Sequence, residues 1–349
     1  MPVLLLLTTL PGLAGDWSPK LAAQYLDSRQ KEWFAWAPAK RTGGPCISCH
    51  TGATYLLARP ALRRVLGEAE PTAYETGLVD GLRARVGTRL EDVRKAVKEP
   101  LASQFVGVEA IFAALFLPQE KPASQQAWDR LWSMQLHEGP AKGSWPWFTF
   151  DSDPYETSDS GFFGASLAAL AISATPAEYQ ARPEVKAHIA ELVEYLRAAM
   201  PSQPLHNRLL LMPAASKLPA LVREAKQSII DETLEKQRPD GSWTLAALGP
   251  WKEHPEAAPA VGPSAYATAV AAYALEEAGV PRSNQKLKKA LDWLRGKQDP
   301  EFGYWVAESM NKRREPGNLP EGFMRDAATG FAVLALIEPK PAGPAPAGH

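Results

Sequence analysis

A chain of 349 residues is long enough for one large domain or two ordinary ones, and 45% hydrophobic with 22% charged residues is the make-up of a globular protein with a real core. The net charge of −1, with Lys and Arg scattered along the chain, excludes a basic face for nucleic acid or for an anionic membrane surface. Two counts stand apart, 32 prolines and 11 tryptophans, and they predict many short, punctuated elements and a recurring aromatic feature.

The chain opens "MPVLLLLTTLPGLAGDW". An apolar run from Val3 to Leu13, closed by the small residues Ala14 and Gly15, has the form of a secretory h-region and cleavage site. Residues 1–15 are therefore predicted to be a signal peptide, and the protein to be exported to a bacterial periplasm. That run is too short to cross a bilayer, and no later segment reaches the ~18 continuous apolar residues a spanning helix needs, so no integral membrane protein is expected. At the other end, "PKPAGPAPAGH" (339–349) is rich in Pro, Ala and Gly and is predicted to be a disordered tail.

Next comes "GGPCISCHTGATYLLARPALRR" (43–64), which holds the only two cysteines, with a histidine directly after them: Cys46, Cys49 and His50. Cys-x-x-Cys-His is the attachment sequence of c-type haem. Two thiols add across the two vinyl groups of one porphyrin, and the adjacent histidine is then held beneath the iron as its proximal ligand. The same residues also admit a Cys46–Cys49 disulfide in an oxidising compartment, free thiols, or a site for zinc or another metal. A zinc site needs further ligands, and the other histidines (His137, His188, His206, His254, His349) show no paired spacing.

Beyond this point the chain repeats itself. "DSGFFGASLAALAIS" (159–173), "SAYATAVAAYALEEAGV" (264–280) and "MRDAATGFAVLALIE" (324–338) each predict a helix of small and apolar residues without a wide polar face, buried on most sides. "HTGATYLLARPALRRVL" (50–66) and "GVEAIFAALFL" (107–117) fit more loosely. A glycine-aromatic phrase precedes each strong copy: "QLHEGPAKGSWPW" (135–147), "QRPDGSW" (237–243) and "QDPEFGYW" (298–305). Before each phrase runs a more amphipathic helix, so the unit is outer helix, Gln…Gly-x-Trp turn, inner helix. The glycine permits the tight turn, the tryptophan packs against the next repeat, and the glutamine amide ties down free backbone groups at helix ends.

Gln-x-x-x-Gly-x-Trp repeats alternating with Ala-rich inner helices resemble the squalene-hopene and oxidosqualene cyclase family. The resemblance covers roughly residues 20–338 and is clearest from 130 onward. It implies an all-α fold, a single α/α toroid over residues 16–338 with an inner barrel of helices inside an outer ring. It also implies a central apolar cavity lined by Tyr55, Phe162, Phe163, Tyr266, Tyr273 and Phe331, and an isoprenoid or other lipophilic ligand. In those cyclases the middle Asp of an Asp-x-Asp-Asp-Thr-Ala motif protonates an alkene. The nearest counterpart here is "FDSDPYETSDSG", with Asp151 and Asp153 but Pro154 in place of the last Asp, while the helix register puts the motif's first Asp at Asp159. Asp151, Asp153 and Asp159 are the candidate acids, and N-capping of the following helix is their structural alternative. The zinc set of the related prenyltransferases and the Cys-Gly-Glu-Gln of thioester toroids have no counterpart.

Laying the inner helices over one another puts Thr54 on Thr268 and Thr329, and His50 on Ser264, Arg325 and Asp159, so these residues are expected at one mouth of the barrel. The functional expectation is a toroid carrying haem c at that mouth, bound through Cys46, Cys49 and His50. Its role would be redox chemistry with a partner protein, on an isoprenoid substrate. The candidate sixth iron ligands are Met134, Met310, Met324, His137 and His254, with an open sixth position as the alternative. The alternatives are a diverged terpene cyclase and a non-catalytic lipid-binding toroid whose cysteines are structural.

Overall fold

The computed structural model describes residues 17–117, 123–218, 221–222, 225–257 and 261–338; the expected signal peptide and C-terminal tail lie outside these residues. Sixteen helices are named here: α1 (Pro19–Ala35), α2 (Gly52–Leu66), α3 (Ala73–Arg85), α4 (Leu90–Arg94), α5 (Leu101–Phe116), α6 (Ala123–Ser133), α7 (Ser160–Ser173), α8 (Ala177–Gln180), α9 (Pro183–Ala199), α10 (Leu205–Leu210), α11 (Met212–Ala215), α12 (Lys226–Glu235), α13 (Leu245–Leu248), α14 (Ala265–Glu277), α15 (Gln285–Arg295) and α16 (Phe323–Leu336). Two two-residue hairpins accompany them: β1 (Lys40–Arg41) with β2 (Gly44–Pro45), and β3 (Trp243–Thr244) with β4 (Pro263–Ser264).

Burial sorts the helices into two layers. On α2, α5, α7, α14 and α16 most residues are buried, and α10 with α11 forms a broken sixth member of the same layer. Small residues let these helices approach closely: α16 packs between α14 and α2, α14 against α10 and α11, and α7 between these and α5. Helices α1, α3, α6, α9, α12 and α15 lie outside and bury one stripe each. The repeat predicted from sequence is thus a ring of hairpins, inner barrel within outer ring.

The Gln…Gly-x-Trp turn does the same work three times. The Nε2 amide of Gln237 donates to the carbonyls of Gly241 and Lys286, that of Gln135 to Gly143 and His188, and that of Gln298 to Gly303 and Ser18. Each glutamine therefore joins its own turn to the next outer helix. The indole N–H groups of Trp145, Trp243 and Trp305 donate to carbonyls in the preceding outer helix, those of Leu131, Thr233 and Leu294, at 2.7–2.8 Å. All three rings are buried, 2% exposed or less. Glycine is required here: Gly143, Gly241 and Gly303 have φ of +90°, +93° and +79°, and a Cβ on them would stand 2.1–2.6 Å from backbone atoms of the neighbouring repeat.

The threonine register is equally regular. Thr54, Thr268 and Thr329 each donate Oγ1–H to the carbonyl four residues back, of His50, Ser264 and Arg325. The hydroxyls of Thr268 and Thr329 also accept the backbone N–H of Trp243 and Trp305. The rings expected to line a central cavity are packed away instead, and Tyr55 turns to the outer ring, donating its hydroxyl to Asp27 of α1 at 2.8 Å. Tyr55, Phe162, Phe163, Tyr266 and Phe331 are all at most 5% exposed. Half-buried Tyr273 lies with Glu276 and Glu277 in a separate shallow depression.

Candidate functional site

The large cleft lies at the mouth of the barrel, not along its axis. It has a volume of about 780 Å³, and its walls come from the loop before α2, from α5, from the loop before α7, and from the start of α16 with the loop leading to it. Trp33, Trp36, Phe105, Phe148, Phe150 and Phe323 make it mainly aromatic. Polar and ionisable side chains in the walls include Cys46, Cys49, His50, Arg41, Arg85, Glu109, Glu156 and Arg314.

The cysteine loop is pinned from several sides. Arg85 of α3 reaches it through the carbonyls of Thr42, Gly44 and Pro45, while its Nε is 2.6 Å from Glu109 of α5. The Trp33 indole donates to the Cys46 carbonyl at 2.7 Å, and Cys46 N–H donates to Ala39. Ser48 Oγ accepts the N–H groups of Thr51 and Gly52, which open α2. Both thiols are free; Cys49 is buried, Cys46 is half-buried, and burial pushes both above the ordinary thiol range.

His50 stands at the same mouth. Its ring stacks on Phe323 (centroids 5.5 Å apart) and meets Tyr155 edge-on at 4.9 Å. Burial, assisted by the Arg314 charge, lowers the imidazole to about 4, so the ring is neutral, and its Nδ1 has no hydrogen-bond partner among the described residues.

Glu156 is the cleft carboxyl shifted toward neutrality. A pair of backbone bonds with Ser152, at 3.1 and 2.9 Å, closes the loop that presents it. Its carboxyl has no hydrogen bond or ion pair among the described residues, and burial raises it to about 7. Near neutrality it is therefore divided between acid and carboxylate, the condition suited to donating a proton.

The three aspartates singled out in the sequence surround this loop, and none of them lines the cleft. Exposed Asp151 is paired with Lys252. Asp153 is buried, accepts the Lys252 N–H at 3.2 Å and lies 3.7 Å from His254, while its backbone N–H and carbonyl exchange two hydrogen bonds with the side-chain amide of Asn311; burial pushes its carboxyl up. Exposed Asp159 precedes α7 and makes no side-chain cap bond. Of the other side chains considered as iron ligands, Met324 lines the cleft, Met310 and Met134 pack in or against the core, and His137 pairs with Glu191. Sequence reasoning missed Glu156, Glu109 and Arg314.

No protein-family model and no curated protein sequence matches the chain. Solved structures do match in shape. The α-1,6-mannanase GH76A of Salegentibacter sp. HEL1_6 superposes with a TM-score of 0.50 at 12% identity, covering 92% of this chain and all of that one. An inactive double Asp-to-Asn variant of it, in complex with α-1,6-mannotriose, gives 0.50 at 11% identity with the same coverage. The fold is an α/α toroid. At these identities the likeness speaks for the fold alone.

The haem expectation is corrected accordingly. Cys46 and Cys49 are free thiols in a loop fixed by its own hydrogen bonds, the His50 ring is packed between Phe323 and Tyr155, and among the described residues no three His, Cys, Asp or Glu side chains are grouped to hold a metal ion. Haem c on Cys46 and Cys49 with His50 as iron ligand is withdrawn, and with it the redox role. The terpene-cyclase and lipid-binding alternatives lose their support too, since Phe162, Phe163, Tyr266 and Phe331, the rings expected to line the lipophilic cavity, are buried and none of them lines the cleft. Among the described residues no helix is long and apolar enough to cross a membrane.

Proposed function

We propose that the cleft at the mouth of the toroid is a glycoside-cleaving site in which Glu156 is the proton donor. The observation that carries this reading is the Glu156 carboxyl, raised to about 7 by burial and without a partner in a cleft of about 780 Å³. Glycoside hydrolysis needs one carboxyl protonated at working pH and a second carboxylate beside the anomeric carbon. Glu109, presented by α5 and held 2.6 Å from Arg85, is the second carboxylate in the cleft. The aromatic walls offer flat faces for the C–H faces of sugar rings or of an apolar aglycone. The shared toroid with a mannanase agrees with this reading.

In the reaction, Glu156 transfers its proton to the glycosidic oxygen as the bond from that oxygen to the anomeric carbon breaks, and the leaving sugar or alcohol departs neutral. Positive charge gathers on the anomeric carbon and ring oxygen, facing the Glu109 carboxylate. Water adds to that carbon and gives up a proton to the Glu156 carboxylate, so that Glu156 is again the acid and Glu109 the carboxylate.

The test is product release from aryl glycosides and α-1,6-linked manno-oligosaccharides by the wild type and by Glu156→Gln. Release by the wild type, reduced 100-fold or more in the variant while its melting temperature holds, is the expected result, in line with loss of a general acid. Equal release by both proteins, or none from any glycoside, contradicts it.

A further inference from the structure

The cleft contains more positive charge than its own side chains answer. Arg85 is matched by Glu109. Arg314 is matched by nothing among the described residues: no carboxylate lies within ion-pair distance, and its Nε is covered from solvent without a hydrogen-bond partner. Arg41, at the rim, donates only to the carbonyls of Pro38 and Lys40 and rests its guanidinium 5.8 Å from the Phe105 ring centre. Arg314 is half-buried, and a guanidinium N–H covered without an acceptor costs stability unless something else supplies one. The residue nearest in effect is His50, whose neighbouring Nδ1 is also covered and unpartnered. Two polar groups without partners thus line the same cleft.

We infer that the cleft recognises an organic anion, with an apolar or ring-shaped body against Trp33, Phe148 and Phe323 and an oxyanion received by Arg314. A guanidinium presents its N–H groups as a planar fork that fits a carboxylate or phosphate, and such bonds are about twice as strong as neutral ones. Arg41 adds charge at the entrance and favours the approach of anions. The inference names the substrate class of the site proposed above, an acidic glycoside, but it concerns recognition and is tested without catalysis.

The probes are 1-anilinonaphthalene-8-sulfonate, an aromatic body with an oxyanion, and N-phenyl-1-naphthylamine, the same body without charge, titrated into the full-length protein by fluorescence. The wild type should bind the sulfonate at least tenfold more tightly than the amine, and added salt should narrow that preference. Arg314→Gln should remove the preference while leaving the neutral probe's affinity within twofold, and Arg314→Lys should restore part of it. Arg41→Gln should reduce it less. A wild type without preference for the sulfonate overturns the inference, as does an Arg314→Gln protein that keeps it. Failure of the hydrolysis test with the preference intact rejects the proposed reaction and leaves this inference standing.

Discussion

Arg29 on the first outer helix and Asp326 on the last inner helix, 297 residues apart in sequence, form an ion pair of 2.7 Å. The Asp326 carboxylate also accepts the hydroxyls of Tyr25 and Thr51, each at 2.7 Å. Helix α1, the start of α2 and α16 therefore meet at one fully buried carboxylate, and the ring of hairpins closes there. Burial pushes the Asp326 carboxyl up, and Arg29 together with the two hydroxyls opposes that shift.

Breaking this closure should be costly. Asp326→Ala takes away the buried counter-charge of Arg29, which keeps only the more exposed Glu32, and leaves two hydroxyls without their acceptor, so that about 3 kcal/mol of stability should be lost. Urea unfolding checks this, with Asp326→Asn expected to fall between wild type and Asp326→Ala.

The repeat turn supplies a second test. Gly241→Ala places a Cβ 2.6 Å from the Lys289 carbonyl at a φ of +93°, and should destabilise by more than about 1 kcal/mol. Gln237→Ala removes two hydrogen bonds to backbone carbonyls and should cost about 1–3 kcal/mol. By contrast, Gly262→Ala meets nothing within 4 Å and should be nearly neutral. Thermal melts of the three variants give the order.

The thiols make a third. The purified protein should have the mass of the unmodified chain and two titratable thiols once denatured, and in the folded state half-buried Cys46 should react before Cys49. Absence of free thiols together with a porphyrin-sized mass increment would reverse the correction made above.

A fourth concerns pH. The folded-state pKa of Glu156, about 7, lies above its unfolded value of about 4.3, so its contribution is fully present below the unfolded value and lost as pH rises through about 7. Measured against Glu156→Gln, the wild type should lose about 2–3 kcal/mol between pH 5 and pH 8. That comparison cancels the opposite effect of His50 and His206, which burial lowers to about 4. An unchanged difference across this range contradicts the burial assigned to Glu156.

The ring architecture was legible because it is local and periodic. Gln237, Gly241 and Trp243 lie close together in sequence, their three contacts recur elsewhere in the chain, and the small-residue helices that follow them are apolar all round. The Thr54–Thr268–Thr329 register was legible for the same reason. The cleft was not legible, because its chemistry arises from contacts between distant segments. Nothing around Glu156 in "DPYETSD" distinguishes it from the aspartates beside it; its burial comes from the way loop 150–156 is tied to Lys252 and Asn311, about a hundred or more residues away. Cys46, Cys49 and His50 misled in the other direction. A short motif carries the spacing of a chemistry, while the free thiols and packed ring depend on Trp33, Arg85, Tyr155 and Phe323, which the motif does not contain.

The most direct test of the central claim is the pH dependence of kcat/KM for the best glycoside found, in wild type and in Glu156→Gln. The account predicts a wild-type rate that falls tenfold per pH unit above about 7, and a variant in which the residual rate has lost that limb. A wild-type limb that survives in Glu156→Gln would contradict it and place the acid on another residue.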